Sequence, residues 1–182
     1  MKIKIAQFGL GPIGIETLKL AAAKPWADIL GGIDIDPAKI GKDLGDLTQT
    51  PALKGRKVYR SLDDLAATAK PDVIFHTSVS KIKDAYAQIE PMARRGISVV
   101  SSCEELLFPK LREPELANKL DRICKDNGAR VLGTGVNPGF VMDVLPVCLT
   151  GVCRDVRAIH NLVDDVLRRT GRGRRAAPSE GR

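Results

Sequence analysis

Apolar residues along this chain alternate between short continuous runs and stretches with helical spacing. Lys2 to Phe8 reads as a buried strand, and Pro12 to about Lys24 as a helix with apolar positions at Ile13, Leu18, Leu20 and Ala21. Ala27 to Ile35 is a second apolar run. Next come a weaker segment at Arg56 to Tyr59, a helix seeded by Ser61-Leu-Asp-Asp, and a strong strand at Asp72 to His76. Lys81 to Arg95 is amphipathic and ends at Gly96, and Ile97 to Ser101 is again strand-like. A helix near Glu113 to Asn127, closed by Gly128, precedes a last strand at Arg130 to Leu132. Strands separated by helices of this length predict a parallel sheet whose two faces are covered by right-handed crossovers. The fold class is α/β, a doubly wound sheet, with no solenoid-type repeat and no linker before about residue 165.

Composition narrows the class without changing it. A chain of 182 residues, 43% apolar and 28% charged, suits one domain with a short appendage, and no apolar run approaches a membrane span. The glycines after the first strand, with no small-residue cleavage pattern behind them, argue against a signal peptide, so the protein is expected to be soluble and cytoplasmic. The net charge of +7 is uneven: six arginines against Glu180 put +5 between Arg168 and Arg182, leaving only +2 for the rest. With 4% aromatic residues, the body lacks the basic, aromatic-rich face of a nucleic-acid binder. Cys103, Cys124, Cys148 and Cys153 form no CxxC pair and lie far from His76 and His160, so no metal site is expected; reduced thiols fit a cytosolic protein.

Between the first strand and first helix stands Gly9-Leu-Gly-Pro-Ile-Gly14. A diphosphate needs its charge matched without a bulky cage, and a helix N-terminus offers free backbone N–H groups and partial positive charge. Gly9 permits the tight turn, Gly11 close approach of the diphosphate, and Gly14 close packing of helix on strand, while Pro12 loses no hydrogen bond at a first-turn position. The motif follows a strand and opens a helix, which is the context that gives it weight. Asp34, twenty residues after Gly14 and at the end of the second strand, is the candidate ribose acceptor. Asp36 instead starts the turn that Pro37 completes. A carboxylate at position 34 and isoleucine at 35 favour NAD over NADP, while Lys39 and Lys42 leave both open. Three loops leave the carboxyl ends of later strands, at 76–80, 101–105 and 133–139, and are rich in small or hydroxylic residues suited to a ribose or nicotinamide. Ordinary turn chemistry explains them equally well: Ser101 or Ser102 could cap a helix beginning near Glu104. His76, closing a buried strand, is read as a satisfied core histidine.

The segments GLGPIG, GGIDIDPAKIGKDLG, SSCEEL and above all GTGVNPGFVMD resemble the 2,4-diaminopentanoate dehydrogenase group, relatives of dihydrodipicolinate reductase, over about residues 1–163. The resemblance implies a Rossmann-type domain followed by an α+β domain that shapes the substrate pocket and the dimer interface. It also implies oxidation of a small amine or amino acid by NAD or NADP to a ketone and ammonia. Gly9, Gly11, Pro12, Ile13 and Gly14 match its diphosphate loop and Asp34 its ribose acceptor. Thr77 and Ser78 match the loop near the nicotinamide ribose, Ser102, Cys103 and Glu104 the loop beyond it, and Asn137 the entry to the second domain. Glu104 is the candidate to manage the amine proton, with a helix-capping carboxylate as the alternative.

Residues 1–150 are thus expected to form the dinucleotide-binding domain and 151–165 the first strand of a second, truncated domain. That strand, read at 156–163, would leave an exposed edge. Residues 166–182 read as a disordered Arg/Gly-rich tail, of the composition that out-of-frame translation of GC-rich DNA gives. A full-length form would be a homo-oligomer. The competing reading is a non-catalytic dinucleotide sensor whose tail binds a polyanion.

Overall fold

The computed structural model describes residues 2–160. Its strands are β1 (Ile3–Phe8), β2 (Ala27–Ile33), β3 (Val58–Tyr59), β4 (Val73–His76), β5 (Ser98–Ser101) and β6 (Val131–Gly133). All pair in parallel, in the order β3-β2-β1-β4-β5-β6. The chain winds outward from β1 to β3 and returns to the other side of β1 for β4. The order therefore reverses between β1 and β4, and loops leaving those two strands diverge and open a crevice.

The helices form where the sequence supplies starts and stops. Pro12 at the first helical position opens α1 (Pro12–Ala22). The Ser61 hydroxyl accepts the Asp64 N–H at 3.1 Å and starts α3 (Leu62–Ala66). Helix α4 (Ile82–Arg94) buries Ile82, Ala85, Ile89, Met92 and Ala93 along one face, and α6 (Pro114–Asn127) ends as Gly128 turns left-handed at φ +67°. Two short helices are not predicted by the pattern: α2 (Leu44–Thr48) and α5 (Pro109–Arg112) are too brief to show a period. Asp43 starts α2, its carboxylate accepting the N–H groups of Gly45, Asp46 and Gly55. After β6 the chain enters a wide helical stretch, Val136–Val144, with Asn137 extended, and continues into α7 (Leu145–Thr150).

Two apolar cores flank the sheet. One, under α3, α4 and α6, includes Ala6, Ile74, Ile89, Met92, Val99 and Ile123. The other, under α1 and α2, gathers Ile5, Leu10, Leu18, Ile29 and Leu44. The expectation that both faces are covered holds only in part. Ile74, Val99 and Val131 face the first core, but their neighbours Phe75 and Val100 line an open groove beside α1, and Leu132 is 58% exposed. Among the described residues no helix covers that half of the α1 face, because the crossovers after β4 and β5 both run on the opposite side. No helix among them is long and apolar enough to cross a membrane. Residues 153–160 carry no regular structure; the rest of the strand expected at 156–163, and the 166–182 tail, lie outside the described residues.

Ile74 sits fully buried in β4, next to the central strand. Ile74→Ala should lower unfolding free energy by about 2–5 kcal/mol in urea titrations. A loss below about 1 kcal/mol would show that β4 does not pack as described.

Candidate functional site

The turn from β1 to α1 leaves no room for side chains at two of its glycines. Gly9 has φ +88°, and a Cβ there would lie 3.0 Å from the Thr77 carbonyl oxygen. A Cβ on Gly14 would lie 1.9 Å from the Gly9 carbonyl oxygen, so only glycine permits this fold of the chain. Gly11 differs, since a Cβ built on it meets nothing within 4 Å. The space over Gly11 is open, no side chain caps α1, and its first turn holds no acidic residue. The free N–H groups of that turn, beginning at Ile13 because Pro12 has none, therefore face an open anion seat.

Both flanking strands hold the turn. From β4, the Thr77 hydroxyl donates to the Gly9 carbonyl at 3.1 Å and accepts from the Gln7 amide at 2.8 Å, while the same amide donates to Gly9 O at 3.1 Å. Gln7 is fully buried, and its Oε1 has no hydrogen-bond partner among the described residues. From beyond β2, Asp34 Oδ2 accepts the Leu10 N–H at 2.8 Å and Oδ1 accepts the Asp36 N–H at 2.9 Å. Lys39 Nζ lies 3.2 Å from Asp34 Oδ2. Burial pushes the Asp34 carboxyl up, but the Asp36 and Leu10 N–H groups and Lys39 together outweigh it and hold the pKa below the ordinary value. Asp34 is thus a fixed negative charge on one side of the anion seat. Asp36 accepts the Ala38 N–H, as its reading as a turn residue requires.

On the other side lies a groove of about 610 Å³ whose lining includes Ile13, Thr77, Ser102, Glu104, Thr134 and Asn137. It runs down the flank of α1 to Trp26, the only tryptophan of the chain. The predicted residues divide accordingly. Ile13, 63% exposed, joins Thr77, Ser102, Glu104 and Asn137 at the groove, and Asp34 stands across the glycine turn from them. The Ser78 hydroxyl bonds His76 and Gln88, so it is the backbone of Thr77 and Ser78 that borders Gly9. Cys103 is buried, its thiol donating to the Ser80 carbonyl, and burial raises its pKa; it is not a reactive thiol. Capping falls to the neighbour of the expected catalytic residue: Glu105 accepts the Ile82 N–H at the start of α4, while the Glu104 carboxylate is exposed at the groove and makes no hydrogen bond among the described residues. Neither Ser101 nor Ser102 caps the short 3-10 turn Glu104–Leu106, though Ser101 Oγ accepts the Cys103 N–H. No group of residues suited to a metal occurs among the described residues.

His76 is the satisfied core histidine that its position suggested. Nδ1 lies 2.8 Å from Ser101 Oγ and Nε2 2.7 Å from Gln88 Oε1. Because Gln88 Oε1 can only accept, Nε2 carries the proton and donates to it, and in the neutral ring Nδ1 then accepts from the Ser101 hydroxyl, whose oxygen also accepts the Cys103 N–H. Burial lowers the pKa, against the opposing pull of the Gln88 hydrogen bond. This bond set ties the loops after β4 and β5 together at the groove. Gln7 is the site residue that the sequence reading missed, and its signal was plain: an amide inside the apolar run Ile3–Phe8 needs a buried polar partner.

No protein-family model matches the sequence. The 2,4-diaminopentanoate dehydrogenase of Acetoanaerobium sticklandii is 33% identical over 161 residues, 87% of this chain but 45% of that protein. Among solved structures, amine dehydrogenase from Mycobacterium smegmatis aligns at TM-score 0.74 and 28% identity, over 85% of this chain and 45% of its own. The WlbA dehydrogenase from Bordetella pertussis, solved with NADH and UDP-GlcNAcA, shares the fold at TM-score 0.57 and 20% identity, over 83% of this chain and 43% of its own. The chain thus spans less than half the length of each of these proteins.

Two measurements check this geometry. Gly14→Ala should destabilise the chain by more than about 2 kcal/mol, since backbone must shift, and Gly11→Ala by less than about 1 kcal/mol; equal costs would contradict the turn as described. A histidine kept neutral on folding contributes stability that is complete above its unfolded pKa and is lost as pH falls. The urea midpoint should therefore fall from about pH 7 toward pH 5, and His76→Gln should flatten that slope. An unchanged slope in the variant would mean that His76 is not buried in neutral form.

Proposed function

We propose that this chain, which belongs over its N-terminal part to the 2,4-diaminopentanoate dehydrogenase and amine dehydrogenase family, binds a nicotinamide dinucleotide at the glycine turn and serves the oxidation of a small primary amine. The observation that carries the proposal is the pairing of an open seat over Gly11 with an aspartate held charged beside it and a polar-lined groove on the far side. An elongated dianionic ligand with a ribose at one end and a planar ring at the other fits that sequence of features.

The residues present fit the cofactor. The Ile13 and Gly14 N–H groups would hold the diphosphate, and Asp34 the adenosine ribose. Thr77, the 77–78 backbone, Ser102 and Asn137 would border the nicotinamide half. NAD is favoured, because a fixed carboxylate opposes a 2′-phosphate. A bound nicotinamide dinucleotide supplies the hydride acceptor. The amine carbon gives up a hydride and the amine nitrogen a proton, and water then adds to the C=N carbon to release ketone and ammonia. Glu104 is the group we assign to that proton: it is the exposed, uncommitted carboxylate on the groove, beside Ser102. His76 holds Ser101, and through it the loop bearing Ser102 and Glu104, in place; as a neutral, fully bonded ring it moves no proton itself. The substrate pocket and the contacts between subunits are assigned to the part of the family's length beyond this chain, and the setting to the cytoplasm.

Trp26 on the same groove provides a direct readout. Adding NADH should quench its emission saturably with sensitised nicotinamide emission, and Gly11→Val, which fills the anion seat without crowding the fold, should weaken binding more than about tenfold at unchanged melting temperature. Saturable quenching that Gly11→Val leaves intact would place the dinucleotide elsewhere. Where NAD reduction by an amine is measurable, Glu104→Gln should lower kcat by about 10²-fold or more and leave the NADH affinity unchanged.

A further inference from the structure

The sheet has two edges, and the chain treats them differently. At β3 the outer side is covered: Val58 N–H donates to the Lys42 carbonyl, Gly41 N–H to the Val58 carbonyl and Leu44 N–H to the Arg56 carbonyl, while Asp43 and Lys57 form an antiparallel bridge. At β6 nothing comparable occurs among the described residues. Toward β5, the Arg130 carbonyl accepts the Val99 N–H at 2.8 Å, and the Thr134 N–H donates to the Ser101 carbonyl at 2.8 Å. In a parallel pair, alternate residues turn their N–H and C=O groups to the neighbouring strand. Leu132 therefore bonds to β5. The N–H and C=O groups of Val131 and Gly133 point outward, with no hydrogen bond among the described residues.

Such an edge is a template for another strand unless charge, proline or a bulge blunts it, and Val131-Leu-Gly133 contains none of these. Apolar side chains stand beside it on both faces of the sheet. On the α1 face Leu132 is exposed next to the open groove. On the α6 face a recess of about 370 Å³ is lined by Leu106, Ala117, Leu120 and Val131, together with Lys110 and Arg130. The helical stretch that follows, residues 136–150, buries only Gly139 and Pro146 and leaves Val136, Phe140, Val147 and Leu149 in solvent.

We infer that β6 is a contact surface for a second copy of this chain, the two β6 strands pairing antiparallel about a two-fold axis at Leu132 so that the sheets of both copies join. The register follows from which groups are free. With Val131 opposite the second copy's Gly133, and Gly133 opposite its Val131, each pair exchanges two hydrogen bonds, and every outward N–H and C=O group of both strands is satisfied. A slip of one residue would set these groups against Leu132, whose own are already used by β5. Leu132 faces its counterpart at a Cα separation of about 4.5 Å, the close pair of an antiparallel ladder, and its exposed side chain becomes buried. Arg130 stands opposite Thr134, so no like charges meet.

A second copy is the occupant that the edge itself specifies, because its free groups, read in the opposite direction, are their own complement. The paired backbone fixes orientation. Area comes from the apolar side chains beside it, since stable contacts bury about 800 Å² on each partner. This contact is formed by the described residues and is separate from the subunit contacts assigned above to the family's further length. It does not depend on the dinucleotide reading.

The test is sedimentation velocity of the full chain up to about 100 µM, alongside Leu132→Lys, Leu132→Glu and an equimolar mixture of the two. The parent should form a dimer and grow no further, because a two-fold contact closes. Each charged variant should dimerise more than about tenfold more weakly, since like charges then meet on the axis, and the mixture should recover the dimer by setting lysine against glutamate. In a second measurement, with the exposed Cys148 and Cys153 replaced by serine, Leu132→Cys should cross-link into a covalent dimer on oxidation with diamide, while Cys103 and Cys124 stay buried. A folded parent that is monomeric at about 100 µM overturns the pairing. So does a dimer that the charged variants leave intact, a mixture no better than either variant alone, a Leu132→Cys chain that does not cross-link, or growth beyond the dimer.

Discussion

Everything at the candidate site depends on one close approach, the Gly9 carbonyl lying where a side chain at position 14 would have to be. That contact bends the chain from β1 straight into α1 and sets the N-terminus of the helix over the carboxyl edge of the sheet, at the reversal of strand order. The turn then becomes a junction to which three strands contribute. Gln7 reaches up from β1, Thr77 across from β4, and Asp34 from the end of β2 to the Leu10 N–H. Each bond serves the fold and also positions a group beside the anion seat. Structural roles and the proposed binding roles therefore fall on the same atoms, so substitutions here must be chosen, like those at Gly11, to separate the two.

Most of this architecture is legible in the sequence because it rests on local rules. The Gly9 to Gly14 spacing, Pro12 at the helix start, Asp34 twenty residues on and the buried runs at 73–76 and 98–101 each state a local geometry, and the parallel order follows from helix-length connections. What could not be read depends on contacts between segments far apart in the chain. Glu104 and Glu105 are chemically alike and adjacent, and only the position of α4 decides that Glu105 caps a helix while Glu104 stays free. Ser78 and Ser102 look equivalent as hydroxyls on loops, yet His76 and Gln88 take up the first. The short α2 and the wide turn at 136–144 lack the length or period that would reveal them.

The two sides of the seat differ in electrostatics and in cover. On the Asp34 side charges are paired and hydrogen-bonded, so the geometry is fixed. On the groove side the walls are apolar, from Ile13 and Phe75 down to Trp26, with polar groups gathered at the strand ends. A parallel sheet is normally covered on both faces, and here the α1 face of β4 to β6 remains open among the described residues, so the groove is broad rather than a closed pocket.

The most direct test of the account is amide NMR of the isotopically labelled chain titrated with NADH. The central claim predicts saturable shifts that cluster at Leu10, Gly11, Ile13, Gly14, Asp34, Thr77, Ser78 and Ser102, with α6 and its neighbouring surface unmoved. Shifts that avoid the glycine turn, or an unchanged spectrum from a folded chain, would contradict it.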